Sequence, residues 1–272
     1  MIELWNLLLS HPLLNLLIGF TRLTGDLGWS IILMTVGLRM AMTPMVIPSL
    51  KVSKKMQELA PLLSKLKQEH KGDKTALLTA QAELYKKHGV NPGAGCLPQI
   101  IQLLVLIALF NAFSTILKPN GNELISKLNP VLYSFNQLSG DFRLTTSFLG
   151  KELSKPDVFS LPGVPFPLPG IFLLLSAATQ FLSSKMMMPE AKAQEKLAQK
   201  TPEDTDDMMA ASQKQMLYMF PLMTVLFGYQ FPFGLVLYWT VFSAVSMVQQ
   251  YFATGWGDLA PWLRRLGMLK SA

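Results

Sequence analysis

Between Leu27 and Ile47 lie 21 residues apolar enough to cross a bilayer as one helix, and near their middle stands a cation, Arg39. A guanidinium at the centre of a spanning helix costs about 2.5–3.5 kcal/mol on insertion scales. Snorkelling covers roughly one to two helical turns, so from this depth Arg39 reaches an interface only where the bilayer thins. Two arrangements accommodate it: a structural arginine satisfied by neighbouring polar groups, or a positive group lining a wet cavity inside the membrane.

The remaining composition agrees with a membrane setting. Hydrophobic residues make up 50% of the 272, the mean hydropathy is +0.31, and no region has the composition of a separate soluble domain. A net charge of +7 would suit a nucleic-acid binder, but the 24 Lys and Arg fall mainly in loops between apolar runs. Membrane orientation explains that placement more simply, and no sequence-specific nucleic-acid contact is expected. Cys96 is alone, which excludes an intrachain disulfide and a cysteine-based metal site. His11, His70 and His88 all lie outside the spans, no Asp lies within one, and no Walker-type loop is present. An intramembrane protease and a nucleotide hydrolase are therefore disfavoured, and no catalytic residue, cofactor or metal is expected.

Residues 1–26 carry Trp5, Leu8, Leu9, Leu13, Leu16, Leu17 and Phe20 at mostly helical spacing, without the basic segment of a secretory signal ahead of them. This predicts an amphipathic helix lying in the interface, with a short first span as the alternative. The first span occupies 27–50. Residues 51–96 then hold nine Lys and four acids, with Val52, Met56, Leu59, Leu63 and Leu66 in a heptad-like stripe and Leu77, Ala80 and Leu84 on one side of a second helix. Joined through Lys71-Gly72-Asp73, these make an antiparallel helical hairpin. Val90 to Pro98, rich in Pro and Gly, reads as a loop re-entering the membrane, with Pro98 in the first turn of a second span at 97–117. Gln99 and Gln102 share one face of that span, whereas Asn111 points to roughly the opposite side, where a bond to a packed neighbouring helix is expected.

A polar connector, 118–165, follows, with partial apolar patterning around Leu128 to Leu138 that suggests a short interfacial helix. The third span, 166–184, is opened by Pro167 and Pro169 and carries Ser176, Thr179 and Gln180. After a second polar loop, 185–214, with a helix-prone charged stretch at Ala191 to Lys200, the fourth and fifth spans occupy 215–252. Little more than Pro232 joins them, which forces an antiparallel pair. The fourth, Met216 to Phe231, is short for a span and hints at local thinning. Residues 253–272 form the tail. With five spans, 17 basic residues of the hairpin, second loop and tail share one side against 6 on the other. The positive-inside rule then places the hairpin and C-terminus in the cytoplasm and the N-terminus outside.

Several stretches together resemble the YidC-type membrane protein insertases over nearly the whole chain. They are Leu4-Trp5 with His11-Pro12-Leu13, Gly28-Trp29-Ser30-Ile31-Ile32, Arg39 five residues before Pro44, and Lys55-Met56-Gln57-Glu58-Leu59-Ala60-Pro61. Leu84-Tyr85-Lys86-Lys87-His88-Gly89-Val90-Asn91-Pro92, Gly95-Cys96-Leu97-Pro98 with Gln102, and Phe231-Pro232-Phe233-Gly234-Leu235-Val236-Leu237-Tyr238-Trp239 with Gln249-Gln250 continue the series in order. The resemblance implies an all-α polytopic membrane protein of the bacterial type without a large extracytoplasmic domain. Five transmembrane helices would surround a cytosol-open hydrophilic groove, with an N-terminal interfacial helix and a mobile cytoplasmic hairpin that receives substrate. It places Arg39, Gln102 and Trp239 in the substrate groove, with Gln99, Gln180 and Ser243 as further candidates; Ser243 stands where members often carry Asn. It implies a membrane insertase and chaperone of the cell membrane that takes nascent membrane proteins and releases them into lipid, with a Sec-type translocon and the ribosome as further partners. The competing class is a small-solute or ion transporter, which would be expected to show paired repeats around broken helices. No convincing internal repeat is present.

Overall fold

The computed structural model describes residues 2–70, 72–117, 122–140, 142–188 and 205–269, and most of them are helical. The helices fall in two compact units whose boundaries lie within the long helices. The first unit comprises Met1–Ala41, Ile100–Thr179 and Pro221–Val245; the second comprises Met42–Gln99, Gln180–Phe220 and Ser246–Ala272.

A turn of helix, Ile2–Trp5, and a π-helical turn, Asn6–Ser10, lead into α1 (His11–Thr24), which ends on Gly25 in the left-handed conformation. Asn15 and Thr21 of α1 are buried and Arg22 is exposed, as are Leu16 and Leu23 of the helix and Leu4, Leu7 and Leu8 ahead of it. Apart from Arg22, its outer surface is largely apolar. Among the described residues, Glu3–Thr24 qualifies by length and apolarity as a membrane-crossing helix, beside Leu27–Met56, Ile100–Leu117 and Phe233–Thr254; Ile171–Met187 and Leu217–Gly228 are shorter.

Helix α2 (Leu27–Glu58) runs through Pro44 and Pro48 and reaches past the apolar run into the lysine-rich segment. It ends at a turn on Leu59, and α3 (Ala60–Glu69) starts with a Pro in its first turn. The heptad-like stripe thus crosses a break between two helices rather than following one. Leu59 and Leu63 are buried. Gly72, at φ 96°, reverses the chain, and the Asp73 carboxylate accepts from the amides of Thr75 and Ala76 to cap α4 (Lys74–Lys87). Helices α3 and α4 pack together, with Leu77, Ala80 and Leu84 half-buried. The expected re-entrant loop is shorter than its Pro and Gly content suggests. The Asn91 side chain accepts from the Gly93 amide and α5 (Pro92–Leu117) begins there, six residues before Pro98.

The connector folds more fully than its composition suggests. It contains α6 (Asn122–Leu128), a 3₁₀ turn at Ser134–Asn136, and two small antiparallel ladders. In these β1 (Ser147–Phe148) pairs β2 (Lys151–Glu152), and β3 (Val158–Phe159) pairs β4 (Leu168–Pro169). Pro167 and Pro169 therefore precede the third apolar helix, α7 (Ile171–Met187), instead of opening it. Leu124, Leu128, Leu132, Leu138, Phe148 and Leu153 are buried in the core of the first unit with Leu17, Ile31 and Phe113.

Connector polar groups also satisfy helix ends. Asp157, 1% exposed, pairs with Lys151 and accepts from the Leu173 amide at 2.8 Å, in the first turn of α7. The carbonyls of Lys155 and Leu153 accept from the amides of Phe233 and Gly234, at 2.8 and 3.0 Å. Those amides begin α9 (Phe233–Thr254), which follows α8 (Thr205–Gly228). The first amides of a helix have no partner within it, so these bonds remove an orphan-donor penalty at two apolar helices.

In the second unit the tail folds back on the end of α7. Lys185 pairs with Asp258 at 2.6 Å and lies 4.4 Å from the centre of the Trp262 ring, and the Asp258 amide donates to the Met188 carbonyl. Gly257, at φ 50°, is required there, because a Cβ would stand 2.0 Å from the Met186 carbonyl oxygen. Trp262 belongs to α10 (Ala260–Arg265). The charged stretch Ala191 to Lys200 lies outside the described residues.

Asp157→Ala should lower stability by about 2–3 kcal/mol, read as an earlier thermal unfolding in detergent, because it removes a part-buried ion pair and a buried helix cap together. Gly170→Ala should also destabilise, since its Cβ would meet the same carboxylate at 2.1 Å. The double variant should lose less than the sum, and strict additivity would show that the two do not share this contact.

Candidate functional site

Arg39 lies three turns into α2, on the face that also buries Ile31, Thr35 and, nearby, Met34. The Thr35 hydroxyl donates to the Ile31 carbonyl of its own helix at 2.6 Å, a bond that hides its polarity from the apolar surroundings. Arg39 itself is 7% exposed, and its guanidinium carbon lies 4.4 Å from the centre of the Phe242 ring on α9. A desolvated cation over an aromatic face gains about 2 kcal/mol, and the flat guanidinium suits that position better than an ammonium does.

Phe242 is one turn beyond Tyr238, whose ring centre is 6.0 Å away. Tyr238 is 2% exposed, and its hydroxyl accepts a hydrogen bond from the Gln102 amide of α5. A buried phenol needs such a partner, and Gln102, half-buried, supplies it. Arg39, Phe242, Tyr238 and Gln102 thus form one continuous series across three helices of the first unit. Two of the sequence candidates, Arg39 and Gln102, are brought together through aromatic residues that were not singled out. Tyr238 stands within a quoted motif and Phe242 follows it at i+4. The signal for Tyr238 was a phenol inside an apolar helix, which demands a polar partner; Phe242 carried none.

Trp239 is directed elsewhere. Successive residues of a helix point about 100° apart, and its ring packs edge-on against Phe231 at 5.6 Å, which meets Phe110 of α5 in the same way at 6.2 Å. It is half-buried in this aromatic series. Ser243, one turn after Trp239, is buried at 4%. Gln180 is half-buried and belongs to the second unit, while the side chain of Gln99 lies outside the described residues. Asn111 is exposed on the outside of α5 rather than packed against a neighbouring helix. Thr240 is buried and donates to the Val236 carbonyl at 2.8 Å.

The second unit has its own polar pairs on α9. The Gln249 side-chain amide donates to the Thr43 hydroxyl at 2.8 Å, and the Ser183 hydroxyl donates to the Gln250 side-chain oxygen Oε1 at 3.2 Å. Both glutamines are buried. Among the described residues no group of three or more His, Cys, Asp or Glu side chains is placed to hold a metal. The first-unit series thus brings a cation, an amide and a phenol together among apolar side chains.

A family model described as 60Kd inner membrane protein matches residues 19–257. The "Membrane protein insertase YidC" of Fusobacterium nucleatum subsp. nucleatum is 32% identical over 245 residues, covering 90% of this chain and 94% of that protein. Proteins of the same name from Pelobacter propionicus and Rickettsia massiliae are 34% and 30% identical over 250 and 259 residues, each covering 91% of this chain and 39% of the relative. The chain therefore spans almost all of the first relative and about two-fifths of the other two.

A double-mutant cycle tests the cation–aromatic contact. Arg39→Met and Phe242→Leu should show a coupling of about 1–2 kcal/mol in thermal or chemical unfolding in detergent. Additive losses would mean that the ring does not hold the guanidinium.

Proposed function

The chain belongs to the 60Kd inner membrane protein family, and we propose that it acts as its relatives are named, as a membrane protein insertase. The observation that carries the proposal is Arg39, a buried cation on a membrane helix, seated on Phe242 beside the Tyr238–Gln102 pair. A carboxylate brought within about 4 Å of such a cation gains about 4 kcal/mol at an effective dielectric constant near 20. That is enough to draw an acidic segment part-way into a membrane that would otherwise repel it.

In this reading Arg39 attracts the acidic residues of a nascent chain's hydrophilic segment. Gln102 and the Tyr238 hydroxyl supply hydrogen bonds to its backbone, and Trp239 offers an apolar face to the adjoining hydrophobic segment. Ser243, buried on α9 of the same unit, extends the polar lining. The apolar segment then partitions into lipid, which is favourable by about 25 cal/mol per Å² of apolar surface removed from water. No covalent step and no cofactor enters. The chain would cross the membrane five times, through α2, α5, α7, α8 and α9, with the helix before Gly25 lying in the interface. The lysine-rich hairpin and the C-terminus would face the cytoplasm, as the excess of basic residues on that side supports. Its partners would be nascent membrane proteins and lipid, with a Sec-type translocon and the ribosome beside them.

Arg39→Ala and Arg39→Glu should reduce insertion of single-span substrates with acidic outer tails at least about tenfold, the factor that 1.4 kcal/mol commands, whereas Arg39→Lys should retain most of it. Protease protection of the tail in reconstituted vesicles measures this. Equal insertion by wild type and Arg39→Ala would sink the assignment. Deleting residues 60–87 should leave the remaining helices folded by circular dichroism and reduce insertion. Unchanged insertion would remove the hairpin from the receiving step.

A further inference from the structure

Within the first unit a cleft of about 680 Å³ opens between α1 and the connector. This is the size of a site for a small amphiphile. Its walls are Leu16, Phe20 and Leu23 of α1 and Tyr133 and Phe135 of the connector, with Gly19 leaving space between them. The floor is rigid. The Asn15 amide donates to the carbonyls of His11 and Val131, the Tyr133 amide donates to the Asn15 side-chain oxygen, and the Asn136 amide donates to the Asn15 carbonyl at 2.7 Å.

One charged side chain lines this cleft, Arg22. Its Nη1 donates to the Phe135 carbonyl at 2.7 Å, which ties the guanidinium to the connector wall of the cleft, and among the described residues no carboxylate pairs with it. Arg22 is also the only Lys or Arg among the first 26 residues. It lies three residues before Gly25, where the chain turns between two apolar helices, and the polar Thr24 and Asp26 flank that turn. A polar turn between apolar helices sits at headgroup depth, and an exposed amphipathic ring such as Tyr133 is what that depth favours.

We propose that this cleft binds one anionic glycerophospholipid, with its phosphate on Arg22 and an acyl chain along Leu16, Phe20 and Phe135. The site combines a cation held in place at one wall with an apolar trough roomy enough for a chain, which neither a soluble anion nor a neutral lipid would use in full. The proposal rests on the chain residing in a membrane and not on the insertase reading.

The test is native mass spectrometry of the full chain released from detergent micelles doped with equal amounts of phosphatidylglycerol and phosphatidylcholine of the same acyl length. Wild type should retain phosphatidylglycerol about fivefold over phosphatidylcholine, the preference that one basic side chain confers near an anionic surface. Arg22→Gln should bring that ratio near one, and Arg22→Lys should keep most of it. Gly19→Leu should lower retention of both lipids, because its Cβ starts only 3.7 Å from Asn136 and the rest of the side chain fills the trough. Phe135→Ser, at a ring 72% exposed and so without cost to folding, should do the same. Equal retention of the two lipids by wild type, an unchanged preference in Arg22→Gln, or unchanged retention in Phe135→Ser would overturn the proposal. So would displacement of the lipid by millimolar inorganic phosphate, or a dimer that Phe135→Ser abolishes. Insertion by Arg22→Gln in pure phosphatidylcholine vesicles should equal that of wild type, which separates failure here from failure of the insertase reading.

Discussion

Hydrocarbon offers a buried polar group neither a hydrogen bond nor a counter-charge, and the interior of the first unit is arranged around that constraint. Arg39 is its most demanding case. Its guanidinium is seated over Phe242, the ring of Phe242 leans on Tyr238, and the phenol of Tyr238 is tied to Gln102. Each contact answers a need created by the one before it. The same economy holds for lone hydroxyls, since Thr21, Thr35 and Thr240 each return their proton to a carbonyl one turn back on the same helix.

The connector extends this provision to the ends of the helices. Asp157 supplies an acceptor in the first turn of α7, and the carbonyls of Leu153 and Lys155 meet the first amides of α9. Its two short ladders bring those acceptors into position, and its leucines bury themselves beside α1 and α5. A segment of mixed composition thus becomes part of the core. Part of its polarity, Asp157 and Asn136 above all, is buried and spent on internal bonds, and for that reason the segment resists reading by hydropathy.

The all-α polytopic class and the kinship were legible, because long apolar runs, charge-rich loops and ordered motifs are local properties of a sequence. Arg39 stood out for the same reason. Three things were not legible. Helix ends near proline depend on whether a side chain caps them, so Asn91 moved the start of α5 forward and Asp157 moved that of α7 back. Pairing across distant elements decides which polar residues meet, so Tyr238 and Phe242 entered the site and Trp239 turned towards Phe231 instead. Helix α1 is apolar on both faces, so nothing in its hydropathy separates the buried Leu13, Leu14, Leu17 and Ile18, with Asn15 among them, from the exposed Leu16 and Leu23.

Pro44 and Pro48 stand one turn apart on the same side of α2, and neither can donate to the carbonyl four residues before it. The helix continues through both, but two adjacent rungs are missing along one edge of its ladder. A rod weakened in this way is compliant in one direction and stiff in the others. Elastic strain applied to its lysine-rich end concentrates just past Arg39, where bending breaks no further hydrogen bond. The helix therefore carries its cation on a stiff arm and its basic end on a sprung one.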